Sequence, residues 1–274
     1  MKTPIAWVGG KFYQSFKIMS WLPPHNLWCE VFGGSAVLTF AKEPSKIEVY
    51  NDLNEQIVNF FLVARDHAKE LVKRLDSLPY ARSLFQKYKN EPLPDEPIER
   101  ACRWFYILQS SYSHIYGSGW AYAKIRNHAS CFRNKMPLIL KVRDRFRRVM
   151  IECLDFRQIF EKYDSKDTLF FVDPPYDFQS SKENYYDRKH NRVPAFTEQD
   201  HRDLASICYN LQGKAIVCGY PTDLMKELYP TDKWIWLPYK QILYSKRECS
   251  KTKRKEIREE VLFINFELLN NLLI

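Results

Sequence analysis

The chain has 274 residues, 45% of them hydrophobic, and its 42 Lys and Arg against 33 Asp and Glu give a formal net charge of +9. This length allows one large domain, or one domain with a substantial insertion, and the absence of any long apolar stretch excludes a membrane-spanning chain. The basic excess favours a polyanionic partner, because each neutralised phosphate releases counterions.

The amino-terminal part of the chain alternates short apolar runs with glycine and Asn/Asp turns, as the strands and helices of an α/β sheet do. Residues 28–32 predict a strand that ends at a Gly-Gly turn, and residues 36–41 predict the helix that follows. Residues 47–50 predict a second strand, which ends at Asn51 and Asp52. A strand, glycine turn, helix, strand and terminal acid form one βαβ unit of nucleotide-binding type.

Between residues 65 and 146 the pattern changes to apolar residues at helical spacing, which predicts a mainly helical insertion. Its helices are expected over residues 66–78 and 97–114, and the glycine-rich residues 117–123 predict a loop or hairpin tip. The sheet pattern then resumes. Beyond the insertion, strands are predicted over residues 148–153, 168–172 and 214–218, and helices over residues 158–163, 198–210 and 222–229.

The last third of the chain contains a long loop and a basic segment. Residues 179–192 are polar and carry aromatic side chains, and the stretch is too long to be a mere connector. Two apolar runs, 234–237 and 260–266, flank the basic segment 246–258. Because these runs lie on either side of one polar segment, they predict an antiparallel pair of strands.

The strand predicted over residues 168–172 runs directly into Asp173-Pro174-Pro175-Tyr176, which we name the DPPY turn. Two prolines cannot continue a sheet ladder, so the chain must turn at the carboxyl end of this strand, where open α/β sheets bind ligands. The turn offers a carboxylate, backbone carbonyls and an aromatic ring. These groups suit a planar amino group that is held from two sides and stacked on its face, although an ordinary loop has the same local pattern.

The Gly-Gly turn and the acid after the second strand predict a nucleoside site. Gly34 allows a ligand to approach the backbone where a side chain would block it. Asp52 lies where an acid in such folds accepts hydrogen bonds from a ribose diol. Neither GxGxxG nor GxxxxGK[ST] is present, so a nucleoside without phosphates is favoured over a dinucleotide or a nucleoside triphosphate.

The seven cysteines and six histidines are dispersed singly, without the spacing of zinc ligands. We therefore expect reduced thiols, no metal site and no catalytic cysteine. The amino terminus lacks the apolar stretch and cleavage site of a signal peptide, so we expect a cytoplasmic protein that does not bind a membrane.

Four motifs occur in a definite order along the chain. Residues 5–11 (IAWVGGK) are similar to a WxGGK motif, residues 30–35 (EVFGGS) to an FxGxG loop, and residues 50–54 (YNDLN) to an acidic motif after the second strand, with the DPPY turn last. Through these motifs the chain resembles the DNA adenine N6-methyltransferases of the class that includes Dam-type and phage enzymes. The closing strand pattern is also similar, so the resemblance covers nearly the whole chain.

The resemblance implies a fold and a division into domains. The expected fold is a Rossmann-like sheet of S-adenosylmethionine-dependent methyltransferases, with a mainly helical target-recognition insertion. Residues 1–64 and 147–274 would form the catalytic, cofactor-binding domain, and residues 65–146 the inserted DNA-recognition domain.

The resemblance also implies roles for individual residues. Asp173, Pro174 and Tyr176 would be catalytic, Asp52 would bind the ribose hydroxyls, and Asp173 would also approach the methionine amino group. Ala36 stands where many relatives have glycine; we expect it to be helical already, and so to alter packing without loss of binding. The implied contacts with S-adenosylmethionine come from Trp7, Lys11, Phe32, Gly34, Asp52, Asp155, Phe156 and Asp173, and no metal is implied.

For duplex DNA, two regions supply candidate contacts. The insertion interleaves basic and aromatic residues as a groove-reading surface does, although helix packing explains the same aromatics. The basic segment near the end of the chain is expected to grip phosphates. The candidate residues are Trp120, Arg126, Arg133 and Lys135 in the insertion and Lys246, Arg247, Lys253 and Arg254 in the basic segment.

The function that this resemblance implies is site-specific transfer of a methyl group from S-adenosylmethionine to N6 of a flipped adenine in duplex DNA. A cognate restriction endonuclease is a further partner that the resemblance allows. Two alternatives remain open: an amino-methyltransferase that acts on RNA or on a protein glutamine, and a DNA-binding regulator without catalytic activity. The intact Lys11, Asp52 and Asp173 argue against the regulator.

Overall fold

The structure of the chain, a computed structural model, describes residues 1–7, 9–176, 194–242 and 257–268. The described strands are β1 (Leu27–Glu30), β2 (Ile47–Asn51), β3 (Val149–Glu152), β4 (Thr168–Val172), β5 (Lys214–Gly219), β6 (Ile235–Ile242) and β7 (Ile257–Ile264). They form one seven-stranded sheet in the order β3-β2-β1-β4-β5-β7-β6.

The sheet is parallel from β3 to β5, and β7 lies antiparallel between β5 and β6. The strand order reverses between β1 and its neighbour β4. In open α/β sheets, ligands bind outside the carboxyl ends of the strands at such a reversal. The predicted α/β fold is confirmed, as is the antiparallel pair at the end of the chain, and the DPPY turn follows directly on β4.

The described helices lie between and around the strands, and those between β2 and β3 pack largely on one another. None of the helices in the described ranges is both long and apolar enough to cross a membrane. The helices are α1 (Ser15–Met19), α2 (Val37–Ala41), α3 (Glu55–Asp66), α4 (Ala68–Ser77), α5 (Arg82–Asn90), α6 (Pro97–Ser110), α7 (His128–Arg133), α8 (Met136–Phe146), α9 (Phe156–Tyr163), α10 (Glu198–Tyr209) and α11 (Asp223–Leu228).

Aromatic side chains join the helices between β2 and β3 to the sheet. The ring of Phe61 on α3 stacks on that of Phe146 on α8 at 4.8 Å, and Tyr50 on β2 meets Phe61 edge-on at 5.0 Å. Phe60 and Phe105 stack at 5.0 Å, which connects α3 to α6. These helices therefore share one hydrophobic cluster with Tyr50 of β2 and Val149 of β3.

The predicted insertion spans helices α4 to α8, of which α5, α7 and α8 are not predicted individually by the apolar spacing. The division into residues 1–64 with 147–274 and residues 65–146 stays a prediction; its limits fall near the ends of α3 and α8. The long loop predicted over residues 179–192 lies outside the described residues.

The helical pattern predicted over residues 97–114 continues only to Ser110. The hydroxyls of Ser110 and Ser111 donate to backbone carbonyls four residues earlier, which loosens the end of a helix. Ser113 then has a φ of 54°, in the left-handed region, so residues 112–114 form a short 3-10 turn instead of another helical turn.

Ala36 is not helical, so the expectation that it already has helical dihedral angles is wrong. It precedes α2 with φ 54° and ψ 35°, in the left-handed region, and its side chain is buried. Its amide donates to the carbonyl of Gly33 at 2.8 Å, which closes a tight turn after β1. A Cβ atom in this conformation costs roughly 1–2 kcal/mol, so the alanine carries strain that a glycine would not.

We expect Ala36→Gly to change the free energy of unfolding by less than about 1 kcal/mol, because relief of the strain offsets the loss of a buried methyl group. The matched control is Ala64→Gly, a buried alanine inside α3, which should cost about 2 kcal/mol through lost helix propensity and lost burial. Chemical denaturation of both variants and the wild-type protein measures these changes in the free energy of unfolding. Equal destabilisation would contradict the strain at Ala36.

Candidate active site

The DPPY turn meets the amino-terminal segment of the chain through an ion pair. Asp173 directly follows β4, which is buried along its whole length. The Nζ of Lys11 donates to Oδ1 and Oδ2 of Asp173 at 2.7 and 2.8 Å, and also to the carbonyl of Gly9 at 3.1 Å. The exposed fractions of the two side chains are 3% for Lys11 and 19% for Asp173. The pair therefore lies largely out of water, where charge interactions are strong.

A second carboxylate lies close to the same ammonium group. Oε2 of Glu260, on β7, is 3.9 Å from Nζ of Lys11, and the Glu260 side chain is 1% exposed. Burial acts against the charged form of Lys11, but the charges of Asp173 and Glu260 outweigh it and raise its pKa above the ordinary value. Lys11 is therefore a permanent cation in this site.

The hydroxyls of two tyrosines donate to Glu260. One is Tyr239, on the neighbouring strand β6, and the other is Tyr220, which follows β5. Burial raises the pKa of Glu260, although Lys11 and the two hydroxyls act in the opposite direction. No role is predicted for Glu260 from the sequence, in which its only local signal is an acid at the start of an otherwise apolar strand pattern.

Tyr176 lies against the ion pair. Its ring centroid is 5.1 Å from Nζ of Lys11, and its hydroxyl donates to Oδ1 of Asp173 at 3.3 Å. The ring of Tyr220 meets it edge-on at 4.9 Å. Burial raises the pKa of the Tyr176 hydroxyl well above its ordinary value, so this group stays neutral. The Tyr176 ring thus contacts both the Lys11 ammonium and the ring of Tyr220.

The Gly-Gly turn after β1 requires glycine at both positions. A Cβ atom on Gly33 would lie 2.2 Å from Cε2 of Tyr50, which leaves no room for a side chain. Gly34 has a φ of +48°, and a Cβ atom there would lie 3.3 Å from Nε1 of Trp7. The hydroxyl of Tyr50 donates to the carbonyl of Gly34 at 2.7 Å and fixes the turn. This turn thus brings Trp7 next to the carboxyl end of β1.

Asp52 fastens the same turn from the second strand. Its Oδ2 accepts a hydrogen bond from the amide of Gly34 at 2.7 Å, and its Oδ1 accepts one from the amide of Asn54 at 2.8 Å. Burial raises the pKa of Asp52 to about 6, although both hydrogen bonds favour the charged form. Each carboxylate oxygen has two lone pairs, so Asp52 keeps acceptor capacity for further hydroxyl donors.

Three aromatic rings lie together near the carboxyl ends of β1 and β3. The ring of Phe32 is 5.8 Å from that of Phe156 and 5.5 Å from that of Phe196. The side-chain amide of Asn51 donates to the carbonyls of Val31 and Leu154, at 2.8 and 3.0 Å, and joins the loops that carry these rings. The rings are tilted or edge-on to one another and form an apolar cluster, in which the face of a single ring suits stacking on a purine. Phe196 is not among the sequence predictions.

Asp155 has other partners in this structure. Its side chain accepts from the amide of Arg157 at 2.9 Å and so caps the start of α9. The guanidinium of Arg157 also lies 3.3 Å from its carboxylate and bridges to Asp200 and Asp203. Asp155 therefore acts as a helix cap and as part of an ion-pair network.

The four candidate DNA-binding residues between α6 and α8 have different surroundings. Trp120 packs against Tyr80 and Phe85, with ring centroids at 4.4 and 5.5 Å, inside the insertion. Arg133 is tied to Asp76, whereas Arg126 is exposed and donates to the sulfur of Cys131. Burial lowers the pKa of Lys135. Lys246, Arg247, Lys253 and Arg254 lie outside the described residues.

Within the described residues, no group of three or more His, Cys, Asp or Glu is arranged to hold a metal ion. The described side chains and backbone offer several interactions at this edge of the sheet. Carboxylates at the ends of β2 and β4 accept hydrogen bonds, a fixed ammonium balances charge, and aromatic rings at the same edge of the sheet provide stacking surfaces.

Two comparisons with known proteins agree with this geometry. The family model of the D12 class N6 adenine-specific DNA methyltransferases matches residues 7–243 of the chain, from Trp7 through β6. The chain is also 21% identical over 253 residues to the Type II methyltransferase M.CviBI of Paramecium bursaria Chlorella virus NC1A. That alignment covers 88% of this chain and 90% of the viral protein.

We expect Lys11→Met to lower the free energy of unfolding by about 3–5 kcal/mol, because it leaves buried carboxylates without their cation. The exposed Lys17 provides the control, and Lys17→Met should change stability by less than about 0.5 kcal/mol. Adding Asp173→Asn to Lys11→Met should recover part of the loss. Denaturant unfolding measures all three variants; equal stability of the two single variants would contradict the role of the ion pair.

The loss of unfolding free energy in Lys11→Met should also depend on pH. Without Lys11, the pKa of buried Glu260 rises further above its value in the unfolded chain, so the folded variant binds a proton that the unfolded chain releases. Stability then falls as pH rises, and the deficit of Lys11→Met should be larger at about pH 8 than at about pH 5. A deficit that shrinks as pH rises would contradict this.

Proposed function

The chain belongs to the D12 class of N6 adenine-specific DNA methyltransferases, and on this premise we propose that it transfers a methyl group from S-adenosylmethionine to N6 of a flipped adenine in duplex DNA. The observation that carries the proposal is the Asp173 carboxylate, held by Lys11 at the end of β4 beside the Gly34 turn. This arrangement puts a fixed hydrogen-bond acceptor where an α/β sheet binds its ligands.

The residues at the strand ends fit S-adenosylmethionine. Asp52 retains lone pairs for the two ribose hydroxyls, and Gly34 leaves the backbone open to close approach. Trp7, with Phe32 and Phe156, provides apolar surface for the adenine and methionine portions. Lys11, Asp173 and Glu260 together carry one net negative charge, which suits a cofactor with one net positive charge.

When bound, S-adenosylmethionine supplies an electrophilic methyl group on a positively charged sulfur. The chain's own residues make the adenine amine reactive. The lone pair of N6 is delocalised into the ring, so the amine is a poor nucleophile while N6 is planar. It becomes nucleophilic when N6 pyramidalises and its lone pair leaves the conjugation. The carboxylate of Asp173 and the carbonyl of Pro174 accept the two hydrogens of the amine, which frees the lone pair of N6 for in-line attack.

The step balances without a covalent enzyme intermediate. N6 forms its bond to the methyl carbon as the bond between that carbon and sulfur breaks, and the electron pair remains on sulfur. N6 then carries an excess proton, which passes to the carboxylate of Asp173 and from there to water. Positioning and fixed charges therefore supply the rate enhancement.

The target base must leave the duplex to reach the DPPY turn, at a cost of a few kcal/mol. Tyr176 is only partly buried, which leaves ring area for the base. Stacking on an aromatic ring returns roughly 1–3 kcal/mol. We therefore assign Tyr176 the role of supporting the flipped adenine.

DNA contacts complete the proposal. The exposed Arg126, with Trp120, Arg133 and Lys135, is assigned to target recognition by the insertion. Lys246, Arg247, Lys253 and Arg254 are assigned to phosphate contacts, since they are concentrated in one basic segment. Because the viral relative is named a Type II methyltransferase, we extend the proposal to a restriction-modification system with a cognate endonuclease.

Transfer of labelled methyl from S-adenosylmethionine should be seen with duplex DNA as acceptor. Asp173→Asn should lower the rate by about 100-fold or more, because it removes the charged acceptor. Asp167→Asn, at an exposed acid just before β4, serves as control and should leave the rate unchanged. Label on RNA or protein but not on DNA would contradict the proposal, and DNA binding without any label would favour the inactive regulator.

Cofactor binding should follow the ionisation of Asp52, whose pKa is raised by burial to about 6. The charged carboxylate accepts the ribose hydroxyls better, so affinity should rise by about tenfold between about pH 5 and about pH 7. The protein itself gains stability when Asp52 takes up a proton in this range, since the pKa is higher in the folded state. Calorimetric titration of S-adenosylmethionine measures the affinity.

Asp52→Asn is the matched variant for this dependence. It keeps the size and a carbonyl acceptor but cannot ionise, so its affinity should be lower and nearly constant across the same pH range. A wild-type affinity that falls as pH rises, or an Asp52→Asn variant with the wild-type pH dependence, would contradict the role of Asp52.

A further inference from the structure

Glu260 is a buried acid next to the Lys11–Asp173 pair, and the methyl-transfer steps give it no part beyond its charge. Glu260 is 1% exposed, and its register partner across the β6–β7 pair is Tyr239, whose hydroxyl donates to its carboxylate. Tyr220 donates to the same carboxylate. A buried carboxylate is costly unless its charge and hydrogen bonds are satisfied, so this one has been fixed in place by two donors and a nearby cation.

The geometry of Lys11 raises a conflict with the proposed chemistry. Its ammonium group has three hydrogens, and these are directed at Oδ1 and Oδ2 of Asp173 and at the carbonyl of Gly9. Both oxygens of Asp173 are therefore engaged by a cation before any substrate arrives. Oδ2 keeps a lone pair for the adenine amine, whereas Oδ1 also accepts from Tyr176. An ammonium bonded to both oxygens neutralises the charge with which Asp173 attracts the N6 hydrogen, so Asp173 is a stronger acceptor once the ammonium has moved away.

Lys11 has no route into water, because its side chain is only 3% exposed. A buried ammonium that leaves one carboxylate needs another within reach. Oε2 of Glu260 lies 3.9 Å from Nζ, so a movement of about 1 Å brings it to the length of a charge-assisted hydrogen bond. The other titratable groups of the described chain that face Glu260 are the Cys218 thiol and the hydroxyls of Tyr176, Tyr220 and Tyr239. Burial raises the pKa of Cys218, Tyr176 and Tyr239 well above their ordinary values, so these three groups stay neutral and do not compete for the ammonium.

We propose that Glu260 is a positioning residue that receives the Lys11 ammonium when the substrate amine reaches Asp173, so that Asp173 accepts the N6 hydrogen while the cation stays paired. This inference rests on the proposed methyl transfer. It makes Lys11 a cation shared by two carboxylates, with Asp173 as its partner in the free enzyme and Glu260 as its partner during reaction.

Charge balance supports this arrangement. One ammonium and two carboxylates leave a net negative charge, which stabilises the positive charge that N6 acquires as the methyl group arrives. With a single carboxylate the site would be neutral, and Lys11 would remain bound to the acceptor that the substrate needs. Tyr220 connects the two halves of the site, because it donates to Glu260 and packs edge-on against Tyr176.

The test compares Glu260→Gln with Glu259→Gln. The glutamine at position 260 keeps the size and an acceptor oxygen for both tyrosines but removes the charge. Glu259 is the exposed neighbour whose side chain faces the opposite side of β7. We expect Glu260→Gln to lower the single-turnover rate constant of methyl transfer, and with it kcat, by about 10- to 100-fold. The steady-state KM for DNA and for the cofactor should change by less than about threefold. Glu259→Gln should keep the wild-type values.

A second comparison separates positioning from a merely structural role. If Glu260 acts through Lys11, Glu260→Gln should cause no further loss of rate in a Lys11→Met background, whereas independent roles give additive losses. Glu260→Asp keeps the charge and should recover part of the rate. Tyr239→Phe, which leaves the carboxylate charged but less firmly held, should give a smaller loss than Glu260→Gln. Circular dichroism and thermal unfolding confirm that each variant is folded.

The outcomes are distinct. Wild-type kcat in folded Glu260→Gln overturns this inference and leaves the proposed function intact. Additive losses with Lys11→Met assign Glu260 a structural role and also overturn it. A wild-type protein that methylates no adenine in DNA contradicts the proposed function and the inference that rests on it.

Discussion

A buried ammonium group joins two ends of the candidate site. Lys11 lies near the amino terminus and Asp173 at the end of β4, 162 residues later, yet Nζ and the carboxylate are 2.7 Å apart. Removing water makes this attraction strong, but it also makes each charge costly without its partner. The amino-terminal segment, the DPPY turn and β7 are therefore tied to one another through Lys11, and the catalytic roles of Asp173 and Tyr176 depend on it.

The sheet explains why these groups meet. The strand order reverses between β1 and β4, so the turns after these two strands open onto one crevice. Gly33 and Gly34 shape one wall because a side chain on Gly33 would collide with Tyr50, and Asp52 fastens that wall from β2. Because β7 inserts between β5 and β6, it carries Glu260 to within 3.9 Å of Lys11 on the other wall. The site is thus assembled from strand ends that are distant in sequence.

Local motifs allowed the fold, the family and most of the strand-end residues to be predicted. Asp52 and Asp173 each follow a strand directly and Gly34 lies in the turn after β1, so a few neighbouring residues suffice to predict these positions. The position of Glu260 in the site could not be predicted from local motifs. It depends on antiparallel pairing with Tyr239 and on the proximity of Lys11, near the other end of the chain. The prediction that Ala36 is helical was wrong for a different reason. Alanine favours helices, whereas the tight turn after β1 imposes a left-handed conformation on this residue.

The identity of the methylated atom tests the central claim most directly, since the DPPY turn is proposed to hold the amine of adenine. Duplex DNA methylated by the wild-type protein can be digested to nucleosides and its products identified by mass spectrometry, with Asp173→Asn as the matched control. We expect N6-methyladenine as the product, and its loss in the variant. N4-methylcytosine or C5-methylcytosine as the product, or undiminished N6-methyladenine from Asp173→Asn, would contradict the assignment of this site.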